Sequence, residues 1–170
     1  MTATSTLTVS GLLAAVLILV ANLRPWWKNG REMKMLAAFG KGLLAAVCAA
    51  SCPGGILGWA HHHTGTLANG AGQRTSAAAA GTSSASGLTT GQLVGLGATG
   101  AGVVIVAAFL VGLAYKEAGK KDKRRIAGGF FVGSALTLTA GVAGALSWLP
   151  AVLNAAGAAV VDAVQGSGVL

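Results

Sequence analysis

Lys116–Arg125, KEAGKKDKRR, packs six basic and two acidic side chains into ten residues. The 25 residues before it, Gly91–Tyr115, and the 24 after it, Ile126–Leu149, carry no charge. A helix needs about 20 apolar residues to cross a bilayer, and both runs exceed that. A charge knot between them therefore reads as two membrane-crossing helices joined by a short basic loop.

The whole chain has the same character. Its 170 residues are 54% apolar and only 9% charged, with a mean hydropathy of +0.70. A soluble domain carries roughly 25% charged residues, so this chain lacks the polar surface to enclose a water-soluble core. Its 27 glycines suit helices that approach closely in lipid. The expected fold class is all-α: a polytopic membrane protein with four transmembrane helices in two hairpins, plus a short amphipathic C-terminal helix.

Net charge is +8. Of the twelve Lys/Arg, five lie within Arg24–Lys41 and six within Lys116–Arg125, leaving Arg74 alone elsewhere. Basic residues confined to alternate loops are what the positive-inside rule produces. The expected orientation is a multi-pass protein of the cell membrane with basic loops cytoplasmic and both termini outside. Arg24, Lys28, Arg31 and Lys34 form one basic loop; Lys116, Lys120, Lys121, Lys123, Arg124 and Arg125 form the other. Anionic lipid headgroups are their first expected partner, at about 1 kcal/mol per basic residue near the surface. DNA or a partner protein is the second.

In chain order, residues 1–60 form the first hairpin, with spans at about 7–23 and 35–60. The basic residues follow the first apolar run instead of preceding it, which marks a retained helix and not a cleaved signal. Pro25 is expected to stop that helix, and Asn29-Gly30 to turn the chain. Trp26, Trp27, Trp59, Tyr115 and Trp148 fall at the predicted ends of spans, where indole and phenol rings anchor in the interface. Lys41 lies near the inner end of the second span, so its stem can reach back to the headgroups. Pro53-Gly54-Gly55 predicts a kink or a short re-entrant end. Cys48 and Cys52 share one helical face, a geometry poorly suited to a disulfide, and read as small packing residues. His61-His62-His63 lack a convergent set of further metal ligands and read as the polar start of a loop.

Residues 61–90, rich in Gly, Ala, Ser and Thr, read as a flexible external linker. The second hairpin, 91–149, has spans at about 91–115 and 126–149. The two hairpins match in layout and direction without a recognisable repeat of residues, which argues against an inverted transporter repeat. Gly95-x-Gly97-x-x-Gly100 has the spacing of a dinucleotide fingerprint but neither the preceding strand nor the following acid that chemistry needs. Gly91, Gly95, Gly129 and Gly133, spaced in pairs of four, read as helix-packing positions. Residues 150–170 read as an amphipathic helix on the outer leaflet.

The chain has four acidic residues: Glu32, Glu117, Asp122 and Asp162. They form no carboxylate pair, no Ser/His/Asp set and no metal-ligand cluster, and none lies within a predicted span. The expectation is a non-enzyme with no cofactor, no metal and no small-molecule substrate, acting as a homo-oligomer.

The segments NLRPWWKNGREMK and AGKKDKRRIAGGFFVGSALTLTAGVAGAL resemble small membrane proteins of actinobacterial plasmids, integrative elements and phages, nearest to the plasmid spread (Spd-type) transfer proteins. The resemblance implies an accessory role in moving double-stranded DNA between cells, with the basic loops meeting DNA or the transfer ATPase. Gly91–Leu149 also resembles the helix–basic loop–helix hairpin of type IV secretion pilins, which implies a filament subunit. Small Gly/Ala-rich helices with charged loops are similar to phage holins, which implies a pore former.

Overall fold

The computed structural model describes residues 6–28, 30, 33–52, 54–81, 86–93 and 95–166. The helices are α1 (Val9–Lys28), α2 (Met33–Ala50), α3 (Gly55–Ala80), α4 (Ala98–Glu117), α5 (Lys120–Thr137), α6 (Ala140–Ala145) and α7 (Leu149–Gly166). Four of them, α1, α2, α4 and α7, are long and apolar enough to cross a membrane. The all-α polytopic fold class stands.

The centre of the molecule is the α2–α5 pair, where glycines remove the side chains that would hold two helices apart. A Cβ on Gly42 would strike the Ile126 carbonyl and the Phe130 amide. Reciprocally, one on Gly129 would strike the Phe39 carbonyl and the Leu43 amide. One on Gly133 would come within 2.7 Å of the Ala46 Cβ. The contacts advance together along both helices, so α2 and α5 run in the same direction. Close backbone approach of this kind replaces the hydrophobic drive that lipid cannot supply.

Around this pair the molecule repeats itself. Asn69 on α3 accepts from the Thr8 amide (2.8 Å) and donates through Nδ2 to the Thr6 carbonyl (2.7 Å). Asn154 on α7 accepts from the Gly97 amide (2.8 Å) and donates to the Gly95 carbonyl (2.7 Å). Each asparagine thus satisfies backbone groups at the start of another helix, α1 or α4, where amide donors lack intrahelical partners. Three residues on, Gly72 packs against Ser10 and Gly11, and Gly157 packs against Thr99 and Gly100. Thr6, Thr8, Gly11, Asn69 and Gly72 correspond to Gly95, Gly97, Gly100, Asn154 and Gly157. Helices α1–α2–α3 and α4–α5–α7 thus form two units that share these α1–α3 and α4–α7 contacts and meet through the reciprocal α2–α5 contact, although α3 also packs on α2 and α5 whereas α7, among the described residues, packs on α4 alone. The repeat was unrecognisable in the sequence because only contact-point Asn and Gly residues recur; the residues between them need only be small or apolar.

Several boundaries differ from the sequence reading. α1 continues through Pro25 to Lys28. Proline in the last turn removes a single amide donor, a small loss at a helix end. The expected second span 35–60 divides: α2 ends at Ala50, and α3 restarts at Gly55, whose φ of 72° favours glycine. Residues 61–80 of the expected linker are helical, because His61 and the small residues Gly58, Thr64, Gly65, Ala68 and Gly72 bury one face of α3. The Ala77–Ala80 run adds the strongest helix former, and Gly81 (φ 66°) closes the helix.

Residues 86–91 then form an extended strap. The Val9 amide donates to Ser86 and the Leu88 amide to Leu7, while the Ala140 amide donates to Thr89 and the Gly91 amide to Leu138. The strap thereby ties the start of α1 to the end of α5 over a core of Leu7, Ala15, Ala68, Ala135 and Leu138. Gly91 and Gly95 consequently lie outside any helix: Gly91 packs on Ala143, and Gly95 has a φ of 109°. The expected span 126–149 is also interrupted. Thr137 Oγ1 donates to the Gly133 carbonyl (2.8 Å), and Thr139 accepts from the Val142 amide to start α6. The six-residue α6 precedes α7, so the helix expected on the outer leaflet over 150–170 forms over Leu149–Gly166 but packs on α4.

Gly42→Ala and Gly129→Ala should each destabilise the protein by about 1–3 kcal/mol through overpacking, lowering Tm by about 3–10 °C in detergent. Gly40→Ala, whose Cβ would enter open space, should leave Tm unchanged or slightly raised. Thermal unfolding followed by circular dichroism checks both.

Candidate functional site at the cationic end

Shared direction of α2 and α5 has an electrostatic consequence. α1 joins α2, and α4 joins α5, through short connections at the ends where α2 and α5 begin. Because those two beginnings lie side by side, both basic segments come to one end of the bundle. α1 confirms the arrangement independently: its Asn22 lies against Gly128 near the start of α5. Its Leu7 and Ala15 join Ala135 and Leu138, towards the end of α5, in one core cluster. Arg24, Lys28, Lys34, Lys116, Lys120, Lys121 and Arg124 are exposed there, with Lys123 and Arg125 partly buried. Arg31 and Glu32 lie outside the described residues.

Within this end, Arg125 donates to Asp122 at 3.0 Å, one turn apart on α5. A surface pair of this kind contributes about 0–1 kcal/mol and leaves the field strongly positive. Lys123 Nζ lies 5.8 Å from the Tyr115 ring centroid, a cation–π contact that steadies the α4–α5 turn. Trp26 and Trp27, with ring centroids 6.4 Å apart, belong to the last turn of α1. Exposed cations of this density set up a positive field to which phosphate groups are chemically complementary; these groups supply no nucleophile or paired acid and base.

The other predicted positions are dispersed. Gly129 and Gly133 sit in the α2–α5 contact, whereas Gly91 and Gly95 flank the strap. Trp59, 63% exposed, lies on α3 and stacks on His63 at 4.9 Å, while Trp148 is exposed between α6 and α7. Lys41 is exposed on α2, about 12 Å along the helix from its first residue. Cys48 and Cys52 are both free. Among the described residues no three His, Cys, Asp or Glu side chains gather as a metal site. Positions that sequence reasoning missed are Gly42, Asn69, Gly72, Asn154 and Gly157, whose signal is the shared Asn-x-x-Gly spacing. Comparison with protein families, curated proteins and solved structures finds no match.

At the opposite side of the molecule, His61 is buried on the small-residue face of α3, and its Nδ1 has no hydrogen-bond partner among the described residues. Burial, and secondarily the neighbouring His62, pull its pKa down from 6.5 to about 4. A base whose pKa is lowered by folding contributes its stability above the unfolded pKa and loses it as pH falls. The window here runs from about pH 6.5 to pH 4, and the total loss is roughly 3 kcal/mol. His61→Leu should abolish this component, so the variant's stability should fall less than that of the parent between pH 7 and pH 4. Thermal unfolding at both pH values, with His63→Gln as an exposed control, measures the difference.

Proposed function

We propose that this chain is a non-enzymatic, oligomeric membrane protein of a mobile genetic element that assists intercellular DNA transfer by presenting its cationic end to DNA or to a DNA-moving partner. The observation that carries the reading is the gathering of two sequence-distant basic segments at one end of a bundle containing four span-length apolar helices. By the positive-inside rule that end faces the cytoplasm and the N-terminus lies outside. α7 starts near the beginning of α4, at the opposite end. If it crosses, it carries the C-terminal side to the cytoplasm, in place of the outer side assigned to a surface tail. Exposed apolar residues on α1, α4 and α7, including Leu13, Leu17, Val106, Phe109 and Val160, face lipid or further copies in this reading.

The pilin-like alternative draws less support. Its hairpin would be α4–α5, yet α5 packs chiefly on α2 and α4 chiefly on α7. Pore formation in the manner of a holin gains no specific observation.

Purified protein should retain double-stranded DNA at low salt. With about six phosphate contacts, affinity should fall roughly 10³-fold between 50 and 200 mM salt. Replacing Lys120, Lys121, Lys123 and Arg124 by Gln should abolish most of the retention and flatten its salt dependence; retention that ignores either change overturns the reading. Orientation is checked separately in intact cells, with native cysteines replaced. A cysteine at Ser76 should react with an impermeant thiol reagent, whereas one at Ala118 should not.

A further inference from the structure

One face of α1 remains uncovered where the helix passes from apolar to cationic sequence. Val20, Leu23, Arg24, Trp27 and Lys28 line a groove of about 200 Å³ there. Their spacing of three and four residues places them on one helical strip. The groove holds about seven water volumes, too little for a second helix roughly 10 Å across. Its two cations stand four residues apart, where like charges repel across a helical turn, and no carboxylate lines it among the described residues. From Val20 to Lys28 the axial rise is about 12 Å, enough to lead from hydrocarbon into the headgroup layer.

The internal repeat shows that the fold does not require this composition. The equivalent strip on α4 is Phe109, Gly112, Leu113, Lys116 and Glu117, so the Arg24/Lys28 pair corresponds to a leucine and a glutamate. The cationic pair therefore belongs to the first unit alone.

We propose that this face of α1 is a binding site for an anionic phospholipid, its phosphate held between Arg24 and Lys28 and one acyl chain lying on Val20 and Leu23 beside Trp27. The complementarity is double: a phosphate cancels the repulsion of the two cations, and the same molecule covers the apolar half of the strip. Nucleic acid offers only the phosphate, which is why lipid is the better occupant. The inference rests on α1 crossing the membrane and is independent of DNA binding.

The test is native mass spectrometry of the full-length protein in micelles containing equal phosphatidylglycerol and phosphatidylcholine. Bound phosphatidylglycerol should fall roughly 30-fold in Arg24→Gln/Lys28→Gln, from about a fivefold loss per basic residue near the surface. It should fall several-fold in Val20→Ser, whose charge is unchanged, and stay constant in Lys120→Gln/Lys121→Gln. Equal loss in the Lys120/Lys121 variant would reveal general charge attraction and overturn the site. No loss in Val20→Ser would overturn the acyl-chain contact, and with it the site. Loss of DNA retention with undiminished lipid binding in Arg24→Gln/Lys28→Gln would assign the strip to nucleic acid instead. Loss of lipid with DNA retention intact supports the site and leaves the DNA reading untouched.

Discussion

Everything in this molecule depends on how closely the backbones of α2 and α5 approach. Hydrophobic burial drives helices together in water, but lipid tails are as apolar as the side chains themselves, so a membrane bundle relies on contact density. Glycine provides it by letting main-chain atoms of one helix meet those of the other at Gly42 and Gly129. The apposition also fixes direction. Two helices running the same way bring their connections to one end, and those connections carry most of the charge. Packing and electrostatics are therefore one design: the glycines locate the cations.

The rest of each unit is held by polar hardware at the far end. Asn69 and Asn154 each engage an amide and a carbonyl ahead of another helix. A hydrogen bond of this type contributes about 1 kcal/mol in water, and it gains importance where water is scarce, because the alternative is an unpaired backbone group. The strap 86–91 adds four main-chain bonds between α1 and the segment around α5's end. One end of the molecule is thus tied by hydrogen bonds, while the other carries most of the charge.

Sequence alone disclosed the all-α membrane class, the apolar helices α1, α2 and α4, and both basic segments, because composition and charge placement act through bulk solvation. What it concealed depends on tertiary contact. The Gly/Ala/Thr composition of 61–80 suggests a flexible chain, yet five small residues and His61 on one face of α3 dock it as a helix. The uncharged run 126–149 suggests one span, yet Thr139 takes an extended backbone and caps α6 with its hydroxyl, so α5 ends at Thr137. Gly91-xxx-Gly95 has the spacing of a helix contact, yet Gly95 takes a left-handed φ that a helix excludes. The cationic site was legible as two loops but not as one surface, since nothing in either loop states which way α2 and α5 face each other.

The length of the α2–α5 contact has a mechanical corollary. Close approach runs from Gly42 and Gly129 on to Ala46 and Gly133, about one turn along each helix. Rods joined over a turn cannot hinge at a point, so a load that tilts one of them tilts the other with it.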